Sequence, residues 1–394
     1  MSFFRAWKGW RRFKRLDWDW RQIVFYSETG QDWHQFSDLI SELNAQLDLK
    51  TTYVTSDPLD TGLRHTHPNY QAICIPPGLF LTIFFQVNQT EVFVLTMMDL
   101  ENLQLKRSLY PVHYVYLFHS MGSTHMVDHE NSFDHYDSLF CTGPHQAAEI
   151  RKREALKGLP PKHLFEYGHP RLEDVIRQGQ EWQGRESPDD HATILIAPTW
   201  GEHSIFSICG GALIDVLLAA GYRVIMRPHY HSRRLTPEVI DSLRDRFKFH
   251  ERFEYIDQMG ETESILRSDL LICDWSAMAL EYSMGLEKPV LFIDVPRRIR
   301  NPNWRELGIE PLESSIREMV GEVLSPESID QAPAAVERLL SVPSRFREQV
   351  RRLREEGVFN LGQSVQAGAK EIARLADERH RARLEREAKG LVNG

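Results

Sequence analysis

Five short segments concentrate hydroxyl, imidazole, guanidinium and carboxylate groups just after apolar runs: His119-Ser120-Met121-Gly122-Ser123-Thr124, His169-Pro170-Arg171, Thr199-Trp200-Gly201-Glu202-His203, Arg227-Pro228-His229 and Asp274-Trp275-Ser276. Each stands where a strand would hand over to a helix. A helix start leaves backbone N–H groups unpaired and presents the positive end of the helix dipole, so these residue types there suit a phosphate or diphosphate. Any one of them also reads as an ordinary N-cap, because Ser and Asp are preferred caps of any helix. Five corners of like chemistry, spread over both halves of the chain, fit a bound diphosphate better than capping. Glu281, five residues into the helix that Ser276 opens, is either a carboxylate for ribose hydroxyls or a solvated helix acid.

Other chemistries find less support. Six of the seventeen histidines (His113, His119, His125, His129, His135, His145) lie near Asp128, Glu130 and Asp134, but no H-E-x-x-H or other compact ligand spacing occurs, and no metal is expected. The chain has neither G-x-G-x-x-G nor G-x-x-x-x-G-K-[ST], which argues against a dinucleotide oxidoreductase and a P-loop enzyme. HSMGS lacks the flanking glycines of a nucleophile elbow, so neither Ser120 nor Ser123 is read as a hydrolase nucleophile.

The elements that must position these groups are visible as an alternation. IVFYS (23–27), TTYVT (51–55), AICI (72–75), EVFVLT (91–96), HYVYLFH (113–119), DSLFC (137–141) and HLFEYG (163–168) are strand-like, with helical stretches over 32–47, 144–156 and after Pro170. The polar GRESPDDH (184–191) reads as a linker. The pattern restarts with ATILIAP (192–198), YRVIMRP (222–228), DLLIC (269–273) and PVLFID (289–294), with helices over 207–220, 236–245, 261–267 and 276–285. Continuous apolar strands separated by helices mean parallel sheets covered on both faces, here in two tandem α/β units. Ligands of such sheets bind beyond the carboxyl ends of the strands, which is where the five corners lie.

With 394 residues the chain exceeds what one core usually supports, and a formal net charge of −9 excludes a surface that tracks nucleic acid throughout. Cys74, Cys141, Cys209 and Cys273 are widely spaced, as in a reducing cytosolic compartment. The longest apolar run, LFLTIFFQV (79–87), is too short to cross a bilayer, and the N-terminus lacks the apolar core of a secretory signal. On a helix, Phe3, Phe4, Trp7, Trp10 and Phe13 form one stripe flanked by Arg5, Lys8, Arg11, Arg12, Lys14 and Arg15. That pattern fits a helix lying in an anionic membrane interface or one docked on the protein's own core. The tail from about residue 332 is helical and charged, and ERHRARLEREAK (378–389) reads as a solvated helix end.

In this order the segments resemble the CDP-glycerol glycerophosphotransferase family, the enzymes related to teichoic acid primases and polymerases. The likeness runs over about 90–375 through EVFVLT, FHSMGS, FDHYDSLFCTG (133–143), EYGHPRLED (166–174), ILIAPTW (194–200), VIMRPHY (224–230), SDLLICDWSAMALEY (268–282), KPVLFID (288–294) and VFNLGQS (358–364). It implies a GT-B-like α/β fold, two Rossmann-like parallel-sheet domains facing a central cleft, with a helical C-terminal tail. The expected divisions are a basic aromatic N-terminal helix (1–20), an acceptor domain (21–185), a nucleotide-donor domain (186–345) and a helical segment (346–394).

By the same resemblance His119 corresponds to the base that takes the acceptor hydroxyl's proton as it attacks the β-phosphorus of a CDP-alcohol. His229, with Arg227, corresponds to the imidazole that holds the pyrophosphate and stabilises charge on the departing CMP. Asp274, Ser276 and Ala277 match the phosphate corner, Glu281 the acid at the ribose, and Thr199 and Trp200 further nucleotide contacts. Ser120, Gly122, Ser123, His169 and Arg171 match acceptor or phosphate contacts. The chain departs from the family's pattern at Ala277, where a second serine is usual, at Trp275 in place of Tyr, and at Gly201 in place of a basic residue. The implied reaction moves a glycerophosphate-like unit from a CDP-linked donor to a hydroxyl of a surface glycan or lipid-linked acceptor. It releases CMP, needs no cofactor and takes place in the cytoplasm at the inner face of the membrane. The alternatives are a GT-B glycosyltransferase or nucleotide-sugar epimerase using a UDP- or CMP-sugar, and a non-catalytic nucleotide-binding scaffold.

Overall fold

The computed structural model describes residues 2–101, 105–182, 191–257, 262–341 and 344–389, so the expected linker at 184–191 lies almost wholly outside the described residues. The chain divides into two compact units, one of Met1–Ser120, Asp128–Pro170 and Val358–Gly394, the other of Met121–Val127 and Arg171–Gly357. The division therefore falls at Pro170 and not at 185/186. The C-terminal segment is shared, since the chain up to Gly357 belongs to the second unit and the rest returns to the first.

In the first unit seven strands, β1 (Ile23–Ser27), β2 (Thr51–Thr55), β3 (Tyr70–Cys74), β4 (Val92–Leu95), β5 (His113–Leu117), β6 (Ser138–Cys141) and β7 (His163–Glu166), pair in the order β3-β2-β1-β4-β5-β6-β7. Every pairing is parallel, with Ile23 facing both Thr51 and Val92. The strands alternate their apolar side chains between two cores. Phe25 and Tyr53 meet Phe36 and Leu39 on one face, and Tyr26, Phe93 and Tyr114 meet Phe84 and Phe85 on the other. The run LFLTIFFQV, to which the sequence assigned no element, is the helix Leu79–Val87 that supplies this second pair of phenylalanines.

Both chain ends are docked on this unit. The N-terminal helix Ser2–Lys14 buries Ala6 and Phe13, and Phe13 packs edge-on against Phe84 at 4.9 Å. Gly9 allows the approach, since a Cβ there would lie 2.2 Å from the Cys74 carbonyl oxygen. The core-facing expectation holds for the face that carries Ala6 and Phe13, while Phe3 and Phe4 remain 59% and 68% exposed. The last helix, Ser364–Ala388, lays Ala369, Ile372 and Leu375 into the Phe36 core. Its polar end is mostly exposed, though Arg383 pairs with Glu91 at 3.0 Å. Gly168, in YGH, has φ +98° and lies under this returning chain, where a Cβ would stand 2.1 Å from Ser364 Oγ and 2.3 Å from the Phe359 oxygen.

The second unit repeats the winding. Strands β8 (Thr193–Ile196), β9 (Arg223–Met226), β10 (Phe253–Tyr255), β11 (Leu270–Cys273), β12 (Val290–Ile293) and β13 (Gly321–Leu324) pair, all parallel, in the order β10-β9-β8-β11-β12-β13. The two edge strands, β10 and β13, escape the sequence reading because they are short and only partly buried. In both units the strand order reverses beside the first strand, at β1/β4 and at β8/β11. Loops diverge at such a switch point and leave a crevice beyond the carboxyl ends of the strands.

Candidate active site

In the second unit the switch point is pinned by one carboxylate. Asp274, following β11, is 1% exposed. Its Oδ1 accepts the Thr199 N–H (2.7 Å) and its Oδ2 the Ile205 N–H (3.4 Å), tying the corner after β11 to the corner after β8. Burial pushes its carboxyl upward in pKa, and the N–H bonds from Thr199 and Ile205 oppose this only in part. This corrects the sequence reading of Asp274 as a phosphate contact: both oxygens are spent inside the protein, where the group shapes the corner.

The residues beside Asp274 are also held. Trp275 is buried, donates from Nε1 to the Val295 carbonyl (2.8 Å), and carries the guanidinium of Arg317 over its ring at 4.1 Å and that of Arg297 at 4.8 Å. Ser276 Oγ accepts the Met278 N–H (3.3 Å), a local cap at the start of the helix Met278–Leu286, and Ala277 fills the N-cap position. Glu281, one turn in, lies 3.9 Å from Arg171 Nε, and Arg171 also donates to Thr262 Oγ1 at 3.3 Å.

The corner after β9 carries the imidazole chemistry. Arg227 donates to Ser264 Oγ (3.2 Å), and His229 caps the short helix Tyr230–Leu235 by accepting the His231 backbone N–H at Nδ1 (3.1 Å). Because an amide N–H can only donate, Nδ1 is the unprotonated nitrogen and Nε2 carries the proton. Burial foremost, then His231, Arg298 and Arg227, hold the pKa of His229 at about 4. At neutral pH His229 is thus an uncharged donor with its N–H fixed on Nε2. The Trp200 ring lies 4.8 Å from His231 and 6.3 Å from His229, with the Arg298 guanidinium 3.4 Å over its face. His231 and Arg298 were missed in the sequence, where the available signals were the H-x-H spacing and the basic run Arg297-Arg298-Ile299-Arg300 after β12.

The remaining expected residues separate between the units. His119 follows β5 in the first unit and is exposed. The carbonyl of Ser120 accepts Gln146 Nε2 (2.8 Å), and the buried Gln146 in turn accepts the Thr142 N–H (2.8 Å), which fixes the backbone beside His119. His169 is buried in the same unit. Gly122 and Ser123 belong to the second unit and are buried. Ser123 Oγ accepts the Leu312 N–H (2.8 Å) and its own N–H donates to Glu313 Oε1 (3.0 Å). Ser123 is therefore an internal tether and not the acceptor or phosphate contact expected of it. The histidine-rich stretch disperses, His113 bonding Ser138 Oγ (2.7 Å), His125 the Ile309 carbonyl (3.0 Å) and His129 pairing with Asp99 (3.4 Å). Among the described residues no three His, Cys, Asp or Glu side chains are grouped to hold a metal ion.

Comparison with known proteins adds to this geometry. Residues 119–296 match the family described as CDP-Glycerol:Poly(glycerophosphate) glycerophosphotransferase. The wall teichoic acid polymerase TagF has a similar structure, with a TM-score of 0.59 over 96% of this chain and 95% of that one, at 13% identity. The UDP-GlcNAc 2-epimerase of Methanocaldococcus jannaschii is also similar, with a TM-score of 0.52 over 85% of this chain and 98% of that one, at 12% identity. At such identities these likenesses describe the fold, a GT-B-like pair of parallel-sheet domains. No curated protein sequence matches the chain. The matched segment begins at His119 and takes in all five corners, so this part of the chain is similar to the CDP-glycerol glycerophosphotransferase family.

Proposed function

We propose that this enzyme transfers a polyol phosphate, glycerophosphate or a close relative, from a CDP-linked donor to a hydroxyl of a lipid-linked or polymeric surface glycan. The acceptor oxygen forms a bond to the β-phosphorus, the bond from that phosphorus to the bridging oxygen breaks, and CMP departs. His119 takes the acceptor proton, and the Nε2–H of His229 bonds the developing charge on the diphosphate. The observation that carries the reading is the fixed tautomer of His229. A neutral donor aimed from a capped corner, with Arg227 and Arg298 near, suits a diphosphate that gains charge as it breaks. The helix starting beyond Ser276 supports the same seat with its dipole.

The experiment is transfer of labelled glycerophosphate from CDP-glycerol, with CDP-ribitol and UDP-sugars as rival donors. His119→Ala is expected to abolish transfer while CDP-glycerol still binds; turnover at the wild-type rate would remove His119 from the mechanism. Turnover with UDP-sugars alone would replace the donor class.

The acceptor reading includes a peripheral site of action on the cytoplasmic face of an anionic membrane. No helix among the described residues is long and apolar enough to cross a bilayer. The outer face of the N-terminal helix supports interfacial docking, with Phe3 and Phe4 exposed among exposed cations and Phe3 against Phe80 (5.1 Å) beside the exposed Leu79.

A further inference from the structure

We propose that Arg298 is a donor-phosphate residue, held by the face of Trp200 so that its N–H edge meets the β-phosphate of the CDP-linked donor. The inference rests on the donor reading of the His229 corner given above. Arg298 lies two residues beyond the segment matched to the family, so nothing in that match assigns it a role.

Three observations carry it. The first is anchoring: the loop after β12 is tied down on both sides of Arg298. Trp275 Nε1 bonds the Val295 carbonyl (2.8 Å), and the N–H groups of Arg300 and Asn301 both reach the Met126 carbonyl (3.0 and 3.2 Å). Asn301 Nδ2 adds a bond to the His125 carbonyl (2.9 Å). The second is the stack itself. At 3.4 Å the guanidinium uses its face on the indole, and its donors lie in its own plane, where a phosphate is bound in bidentate fashion. The third is position. The same indole borders His229 and His231, and Arg298 is among the charges that hold both imidazoles low in pKa, so its field reaches the His229 ring. Space exists beside the stack, since a Cβ built on Gly201 meets nothing within 4 Å. Arg297, its neighbour, is engaged differently, paired with Glu310 (3.0 Å) and lying over Trp275.

The test compares binding of CMP, CDP and CDP-glycerol by calorimetry in the wild type, Arg298→Ala, Arg298→Lys and Trp200→Ala, with steady-state transfer alongside. Loss of a bidentate charged contact to the β-phosphate should weaken CDP and CDP-glycerol about 10- to 100-fold while CMP changes less than about 3-fold. Lysine should recover only part, because it keeps the charge without the planar fork, and Trp200→Ala should reproduce the CDP-selective loss. Equal loss for CMP and CDP, or no loss for either, overturns the assignment even with donor binding intact in the wild type. A wild type that binds neither CMP nor CDP-glycerol refutes the donor reading and this inference together.

Discussion

Replacing Asp274 separates a structural clamp from a ligand contact. In Asp274→Ala the Thr199 and Ile205 N–H groups lose a charged acceptor at 2.7 and 3.4 Å in a buried site. Bonds to charged groups contribute about 1.5–3 kcal/mol each, with the longer one at the low end, so the gross loss is about 3–5 kcal/mol. Removing a carboxylate whose burial works against ionisation returns part of this, leaving about 2–4 kcal/mol. For a unit of this size that corresponds to a melting temperature lower by about 4–16 °C. Asp274→Asn keeps an oxygen for Thr199, sheds the charge and turns an NH2 toward Ile205, so it should cost no more than about 1–2 kcal/mol. Scanning calorimetry of the three proteins, with CMP titrations below the transition, reads both quantities. Unchanged melting in the alanine variant together with lost CMP binding would refute the clamp and return Asp274 to the ligand.

The other predictions concern different parts of the molecule. Gly168→Ala puts a side chain on backbone at φ +98° and drives it into Ser364 and Phe359, so it should destabilise the first unit by about 3 kcal/mol or more, read by chemical denaturation. His113, held low chiefly by burial, and His229 both lie near pKa 4, against about 6.5 when unfolded. Between those values the unfolded chain binds more protons, so stability is lost as pH falls from 6.5 toward 4, by at most about 1.4 kcal/mol per pH unit for each histidine. Denaturation midpoints across that range should flatten in the His113→Gln/His229→Gln double variant. Phe4→Glu should reduce sedimentation with phosphatidylglycerol vesicles severalfold without moving the melting temperature, since that ring is 68% exposed. Equal sedimentation would leave the N-terminal helix a structural part only.

The sequence by itself determined the alternation, the two parallel sheets and the corners where chemistry gathers, because a strand buried on both faces must be a continuous apolar run and its ends must carry polar residues. It also carried the family resemblance in the order of those corners. What it left open was where each polar group points. A serine or aspartate after a strand has the same local signature whether it faces a ligand, as read for Asp274 and Ser123, or a backbone N–H far along the chain, as found for both, with Thr199 75 residues before Asp274 and Leu312 189 beyond Ser123. The Trp200–Arg298 stack, the short edge strands β10 and β13 and the return of the last helix to the first unit have the same origin. These contacts exist only once non-adjacent strands are brought side by side, and the packing of those strands, unlike their local periodicity, is settled by the whole chain at once.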